Sequence, residues 1–290
     1  MPETSALPSD QLASGVLESL SKAVQIILGA SPDTAGEDVT AFEWCYVSAG
    51  TVTLEDASQR EGTSGGHYSV AAFAIAKCPL TNAQYQRFLD DPDGFANPDW
   101  WRFSAEAARW RQDRPNPRPT AFGGANLPRT RVSWFDSMAF CAWLSAALKR
   151  AYPTSGRVRL PTEQGWQRAA LGDSGWRYPW GNEFEDKRGN FARQVGRPTP
   201  VGSYPGGASP YGALDLVGNV WEWCLTGWGQ ETVDVHGYTY RVIKGGAWNV
   251  GNPDYLRPAD RGAHPPRGRL NDCGFRCAFA FAPASTAAAR

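Results

Sequence analysis

The stretch RVIKGGAWNVGNPDYLRPADRGAHPPRGRLNDCGFRC, residues 241–277, begins and ends with strand-like sequence but has a different middle. Arg241–Lys244 is a short β-prone run that Gly245 and Gly246 end, and residues 274–279 begin a second apolar alternation. The residues between them are rich in Gly, Pro, Asn, Asp and Arg and show neither helical nor strand periodicity. A loop of this length in a compact domain is generally functional or disordered. Because strands tether both of its ends, the pattern favours a functional loop.

The composition argues against several classes of function. The 290 residues include 29 basic and 29 acidic side chains, so a general electrostatic attraction to nucleic acid or to an anionic membrane is not expected. The N-terminus lacks a secretory signal pattern, and no apolar run is long enough to span a membrane. Six scattered cysteines without a CxxC pair indicate reduced thiols and a cytoplasmic protein. The 13 Trp, 31 Gly and 22 Pro predict a loop-rich fold stabilised by indole packing.

The chain is predicted to have three parts. Residues 1–41 are an N-terminal extension, with an amphipathic helix from a Ser9 cap to Leu28 followed by a linker. Residues 42–282 form the main domain, and residues 283–290 form a flexible tail. The apolar stripe of the helix contains Leu12, Val16, Leu20, Val24 and Ile27. This stripe must be buried against the main domain or against a second copy of the chain in a homo-oligomer, and both interpretations remain open.

Local patterns predict regular elements within the main domain. Strands are predicted at residues 42–47, 51–54 and 68–75. We expect the first two strands to pair as a hairpin. Thr81, Ser133 and Thr162 each precede a helical pattern and are predicted N-caps. Residues 97–131 are interpreted as an irregular excursion rich in Arg, Trp and Pro.

Six motifs, in this order along the chain, resemble those of a known family. They are AKCPLTNAQY (76–85), RLPTE (159–163), YPWGN (178–182), GNVWEW (218–223), GGAW (245–248) and GFRC (274–277). They resemble the formylglycine-generating-enzyme (sulfatase-modifying factor) domain. The resemblance implies an α+β, C-type lectin-like fold with a small twisted antiparallel sheet, few helices and much irregular loop. It does not give the function, because this scaffold serves unrelated tasks.

The resemblance also bears on redox metals. In copper-dependent members of the family, two cysteines follow the Gly-Gly pair, and Val250 and Tyr255 stand at those positions here. Neither side chain can bind copper or carry thiol chemistry. Sulfoxide synthases with the same domain add a helical module with a three-His iron site, and residues 1–41 contain no His. We therefore expect no copper, no iron and no catalytic residues. A formylglycine-generating oxidoreductase or sulfatase-modifying enzyme is the alternative function.

A structural calcium site is a further implication of the resemblance. Asp215 and Glu222 offer hard carboxylate oxygens, and the carbonyls of Gly218 and Val220 match the family's ligating positions. The alternative is that Glu222 satisfies buried backbone amides beside the neighbouring tryptophans.

The loop is also similar to that of variable proteins of diversity-generating retroelements, which share this fold. In those proteins adenines of AAY codons are randomised, so that the fold displays a changing ligand-binding face. The candidate ligand-binding positions can all be reached from AAY in this way: Asn249, Val250, Gly251, Asn252, Asp254, Tyr255, Asp260, Gly262, Ala263, His264, Gly268, Leu270, Asn271 and Asp272. Lys, Glu, Gln, Met and Trp cannot be reached, and none occurs in residues 249–273. Turn chemistry is the alternative explanation for this composition.

These features predict a non-catalytic scaffold that displays a variable loop surface, residues 249–273, to a protein or another macromolecular ligand. Constant positions such as Trp248, Pro253 and Phe275 are expected to be buried anchors that fix the backbone, while the mixed positions are exposed. Tyr255 is the predicted ligand-contact anchor, since tyrosine offers a large amphipathic area.

Overall fold

The computed structural model describes residues 10–29, 40–57, 59, 64–152, 156–229 and 232–282, with only the backbone of residues 10–14. The predicted Ser9 cap, most of the linker and the tail lie outside this part of the chain. The helices are α1 (Asp10–Leu28), α2 (Asn82–Asp90), α3 (Ala105–Asp113), α4 (Trp134–Ala151) and α5 (Glu163–Leu171). The strands are β1 (Trp44–Val47), β2 (Gly50–Leu54), β3 (Gly66–Val70), β4 (Phe73–Ala76), β5 (Arg157–Arg159), β6 (Trp221–Gly227), β7 (Arg241–Lys244), β8 (Gly262–His264), β9 (Cys273–Gly274) and β10 (Ala278–Ala280).

The strands form two four-stranded sheets and one two-stranded ribbon. Their orders are β1-β4-β10-β5, β8-β7-β6-β9 and β2-β3. The pairing is antiparallel except between β6 and β9, which run parallel. The predicted α+β class is confirmed, but the strands are divided among three sheets instead of one small antiparallel sheet.

Two predictions about the first strands were wrong. β2 does not form a hairpin with β1; its Val52 lies opposite Tyr68 of β3. β1 instead pairs with β4, where Val47 lies opposite Phe73. The single strand expected at residues 68–75 is thus divided between β3 and β4. The burial differs accordingly, because β4 is an inner strand buried along its whole length while β3 alternates between half-buried and exposed.

The predicted helix N-caps are confirmed, and one helix was missed. Thr81 and Ser133 each form a capping box with the residue three positions later, and the Thr162 side chain accepts a hydrogen bond from the third helical amide of α5. Residues 97–131 are not wholly irregular, since they contain α3, which Ser104 caps. The buried face of α3 includes Arg111, whose charge obscured the helical apolar pattern in the sequence.

Helix α1 docks on the main domain. Its buried residues join the same apolar cluster as Trp44 and Leu144. They are Leu17, Leu20, Ala23, Val24 and Leu28. Val16, predicted to lie on this stripe, is instead exposed, and the side chain of Leu12 lies outside the described residues. The structure therefore favours docking within the chain, and self-association through α1 stays a prediction.

Buried indoles connect the layers of the core, as the composition predicted. Trp134 at the start of α4 donates its indole N–H to the carbonyl of Cys224 at 2.9 Å, and Trp223 donates to the carbonyl of Val132 at 3.0 Å. Both rings are fully buried. These bonds fix β6 against the N-terminal end of α4. No described helix is long and apolar enough to cross a membrane.

Candidate ligand-binding surface

The loop leaves β7 through a turn that only glycine fits. Gly245 has φ 94° and Gly246 has φ 75°, in the left-handed region that favours glycine. A Cβ added to Gly246 would lie 2.5 Å from Cδ2 of Leu256, and one on Gly245 would lie 3.1 Å from the ring of Trp166. The turn therefore lets the backbone pass close over buried apolar side chains.

A neighbouring segment holds the first residues of the loop by backbone hydrogen bonds. The amides of Ala192 and Arg193 donate to the carbonyls of Val250 and Trp248 at 2.8 and 2.7 Å. The Trp248 amide donates to the carbonyl of Asn219 at 3.0 Å. Since these bonds use main-chain atoms only, they fix the path of the loop without fixing the side chains at positions 249 and 250.

The next segment is a 3₁₀ turn, Pro253–Leu256, whose successive side chains point to opposite sides. The side chain of Asn252 caps it by accepting the Asp254 amide at 3.0 Å. Tyr255 is 51% exposed, whereas Leu256 is 0% exposed and packs with Phe191. A buried leucine thus holds the turn that presents the tyrosine.

The middle of the loop is more regular than the sequence indicated. Residues 262–264 form β8, which pairs with β7 so that Ala263 lies opposite Val242. The Arg261 guanidinium lies 3.0 Å from the buried carboxylate of Glu163. Asp260 is buried, so it does not lie on the exposed face as expected.

Charged and amide side chains hold the end of the loop. Arg269 donates to both carboxylate oxygens of Asp136 at 2.9 and 3.1 Å. Arg131 donates from Nε to the side-chain oxygen of Asn271 at 2.6 Å. Sequence reasoning missed Arg131, although it lies at the end of the Arg-rich excursion.

Most of the candidate positions are accessible. The exposed ones are Gly251, Asn252, Asp254, Tyr255 and Asn271. The half-buried ones are Asn249, Val250, Gly262, Ala263, His264, Gly268, Leu270 and Asp272. The prediction of burial was wrong for two expected anchors, since Pro253 is exposed and Trp248 is only half-buried. Phe275 is buried as expected. The exposed Pro253 needs no burial, because its ring fixes the start of the 3₁₀ turn.

Asn249, His264 and Asp272 come together from separate parts of the loop. Asn249 donates its side-chain amide to the Asp272 carboxylate at 2.9 Å. Burial lowers the pKa of His264, and the negative charge of Asp272 acts in the opposite direction. Beside them, the indole N–H of Trp248 and the side-chain oxygen of Asn249 are buried without a hydrogen-bond partner in the described part of the chain. Buried polar atoms are normally paired, so these two atoms are exceptions within the packed base of the loop.

Two residues outside the loop border this surface and were not predicted. Phe122 packs edge-on against Trp248, with 5.9 Å between ring centroids. Arg177 forms an exposed ion pair with Asp254 at 3.0 Å. Their separation from the loop in sequence left no signal of proximity, although both belong to segments rich in Trp and Arg.

The fold and these motifs match a family model. The model of the sulfatase-modifying factor enzyme 1-like domain matches residues 31–281. The chain belongs to this family. Among its curated relatives, hercynine oxygenase of Mycobacterium tuberculosis is 35% identical over 239 residues, which cover 72% of this chain and 53% of that protein. The inactive C-alpha-formylglycine-generating enzyme 2 of Mus musculus is 30% identical over 253 residues, covering 72% of this chain and 76% of that protein.

The chain spans about half the length of the hercynine oxygenases that it matches. Solved structures show the shared fold. Treponema denticola variable protein 1 superposes with a TM-score of 0.60 at 21% identity, covering 82% of this chain and 95% of that one. PvdO from Pseudomonas aeruginosa superposes with a TM-score of 0.57 at 21% identity, covering 82% of this chain and 94% of that one. The implied C-type lectin-like fold of the sulfatase-modifying factor family is thereby confirmed.

Glu222, a candidate calcium ligand, is held by two protein side chains. Both carboxylate oxygens accept hydrogen bonds from Arg276 at 2.7 Å, and one also accepts the Trp166 indole N–H at 2.7 Å. A Ca²⁺ ion on this fully buried carboxylate would lie beside a guanidinium charge. In the alternative interpretation Glu222 accepts hydrogen bonds from backbone amides, but the observed donors are the side chains of Arg276 and Trp166. Calcium binding at this position stays a prediction that chelation can test.

Asp215 belongs to the same candidate calcium set but has a different environment. It is buried, with φ 56°, and its carboxylate accepts the Gly202 amide at 2.7 Å. Burial raises the pKa of Asp215 to about 6, although the Gly202 hydrogen bond and Arg276 act to lower it. Gly218 and Val220, whose backbone carbonyls belong to the candidate calcium set, precede β6 and are buried. Among the described residues, no group of three or more His, Cys, Asp or Glu side chains is placed to hold a metal ion.

Proposed function

We propose that this chain is a non-catalytic binding scaffold that presents loop residues 249–273 to a protein or another macromolecular ligand. The observation that supports the proposal is that the loop combines a fixed backbone with accessible side chains. Its backbone is held by main-chain bonds to residues 192–193 and by the buried Leu256 and Arg261, while Asp260 alone among the candidate positions is buried. A fixed backbone with accessible, replaceable side chains is the arrangement of recognition loops on a rigid scaffold.

The chemistry of the accessible positions suits recognition of a polar surface. Tyr255 offers an exposed amphipathic ring, and the exposed side chains of Asn252, Asp254 and Asn271 offer polar groups. Tyrosine and asparagine are favoured at such interfaces for these properties. The accessible positions lie on three backbone segments, residues 249–255, 262–264 and 268–272, which gives an extended contact area. An extended contact area suits a macromolecule better than a small metabolite.

We further propose that a retroelement diversifies this surface. The support is the codon pattern: the candidate positions can all be reached from AAY, and no residue type outside its reach occurs in residues 249–273. The neighbouring DNA tests this. A reverse-transcriptase gene and a second copy of the loop's coding sequence that differs only at adenines are expected. A single copy with no such gene nearby would refute diversification and leave the binding role standing.

A display experiment tests the scaffold itself. NNY codons are introduced at Asn252, Asp254, Tyr255 and Asn271, and the phage-displayed library is selected on lysozyme as a model target. Folded binders with a melting temperature close to that of the parent are expected, because the substituted side chains are exposed and loss of the Asn252 cap costs only about 1 kcal/mol. A matched library at exposed positions outside the loop, residues 183, 186, 187 and 194, is the control. Equal yields from both libraries, or general unfolding of the loop library, would refute the special role of this surface.

An oxidoreductase is the second candidate, favoured by the 35% identity to hercynine oxygenase. Because Val250 and Tyr255 replace the copper-binding thiols of the formylglycine-generating enzymes, we expect no turnover. The purified protein is incubated with copper or iron(II) and assayed for oxidation of a cysteine-containing sulfatase peptide and of hercynine. Stoichiometric metal with turnover of either substrate would reverse this ranking.

We also propose a cytoplasmic location. All six cysteines are free, including Cys141 and Cys277, whose sulfur atoms lie at a hydrogen-bonding distance of 4.0 Å and form no disulfide. Free thiols at this distance fit a reducing compartment. Fractionation of cells with an antibody against the chain checks the location.

A further inference from the structure

An apolar groove lies between one face of α4, strand β5 and the segment that follows β6. Its volume is about 420 Å³. The apolar lining includes Phe103, Met138, Ala142, Leu225, Val233 and Val235. Small-molecule sites generally have volumes of about 300–1,000 Å³ and mostly apolar walls. None of the lining residues belongs to loop residues 249–273, so the groove is separate from the proposed display surface.

Three cationic side chains also line the groove. They are Lys149 at the end of α4 and Arg157 and Arg159 of β5. Within the described part of the chain, none of them forms an ion pair, whereas the adjacent Arg150 lies 3.7 Å from the Asp93 carboxylate. Three positive charges beside an apolar wall are mutually repulsive, and an anion would remove that repulsion.

Arg159 is the most buried of the three cationic residues. Its Nη1 donates to the Leu160 carbonyl at 2.9 Å, and in the described residues neither Nε nor Nη2 has a protein acceptor. Burial, and then the charge of Arg157, lower the pKa of the Arg159 guanidinium to about 10. A planar guanidinium with free N–H groups is suited to a carboxylate, which can accept two of them.

We propose that the groove binds an aliphatic carboxylate of medium chain length. Its hydrocarbon chain lies along Ala142 and Met138, and its carboxylate accepts hydrogen bonds from Arg159 with Lys149 and Arg157 close by. The lining combines an apolar wall with three cationic residues, which matches an amphiphilic anion better than a neutral or cationic ligand of the same shape. The assignment is independent of the function proposed for the loop.

Calorimetric titration of the full chain tests the site, with decanoate as the probe. Saturable binding is expected with decanoate, and none is expected with decyltrimethylammonium, which has the same chain and the opposite charge. Arg159→Gln should weaken decanoate binding about tenfold or more, as expected for the loss of a charged hydrogen bond. Arg150→Gln removes one charge from α4 outside the groove and should leave the affinity unchanged.

A second variant tests the apolar wall without a change in charge. Ala142→Phe should fill the groove and abolish binding, and its melting temperature shows whether the variant is folded. Equal binding of the ammonium and the carboxylate, or full affinity in Arg159→Gln, would overturn the proposal. So would an absence of binding by the parent protein, or saturable decanoate binding by a folded Ala142→Phe. Attachment to phosphatidylglycerol vesicles without decanoate binding would overturn it in favour of a membrane-contact surface.

Discussion

Two adjacent residues of the 3₁₀ turn give the most discriminating test of the loop. Tyr255→Ala removes a side chain that is 51% exposed, whereas Leu256→Ala empties a site that is 0% exposed. Exposed substitutions generally change the free energy of unfolding by about 0.5 kcal/mol or less. Loss of a buried leucine costs about 2–5 kcal/mol, because it leaves a cavity as well as losing apolar burial. Leu256 packs with Phe191 and Val217, so the cavity would open beneath the Gly-Gly turn.

The measurement is thermal unfolding followed by near-ultraviolet circular dichroism. For a domain of this size, 1 kcal/mol corresponds to about 2–4 °C in Tm. We therefore expect Tyr255→Ala to lower Tm by about 2 °C or less, and Leu256→Ala to lower it by about 4–20 °C. Leu256→Met, which nearly conserves volume, is the matched control and should lose much less. A decrease for Tyr255→Ala as large as that for Leu256→Ala would show that the tyrosine packs structurally, and would refute a display role for this turn.

The remaining predictions concern buried groups. Glu222→Gln should lower stability by about 3–5 kcal/mol, because Arg276 stays buried without its partner. If Asp215 and Glu222 hold Ca²⁺, EGTA should lower the wild-type Tm and Glu222→Gln should remove that effect; an unchanged Tm in EGTA would leave Glu222 with a structural role alone. Burial raises the pKa of Asp215 from 3.8 to about 6, so the folded state holds this proton more tightly and stability should fall as pH rises through that interval. Urea titrations of Asp215→Asn across the same pH range should lack this component; an unchanged slope would contradict it. Phe275→Ala should cost about 3–5 kcal/mol and Trp248→Ala less, since only Phe275 is fully buried; urea unfolding checks the order.

Local signals predicted local structure well. The caps at Thr81, Ser133 and Thr162 depend on side chains within three residues of one another, so the sequence contains all the information needed to place them. The course of α1 was likewise evident from its apolar repeat. Strand pairing was less accessible, because the choice of β4 rather than β2 as the partner of β1 depends on a sheet whose inner strand β10 lies about 200 residues later.

The candidate surface was likewise predictable only where local sequence determines it. Its irregular composition was readable, and so was the need for glycine at positions 245 and 246. The contacts that fix it come from distant segments, as when Glu55 pairs with Arg257 at 2.6 Å. The unpaired atoms of Trp248 and Asn249 also have no sequence signal, because burial without a partner is a property of the packed molecule.

The position of strand β10 after the loop determines what happens to products with a disrupted reading frame. It lies downstream of the loop and is an inner strand, with Phe279 opposite both Ala74 of β4 and Val158 of β5. A stop codon or frameshift within residues 249–273 removes β10 and also Arg276, the partner of the buried Glu222. Such a product cannot complete its core and is open to proteolysis, whereas an in-frame exchange at an exposed position leaves the core intact. Only products whose reading frame is intact through the loop can therefore fold.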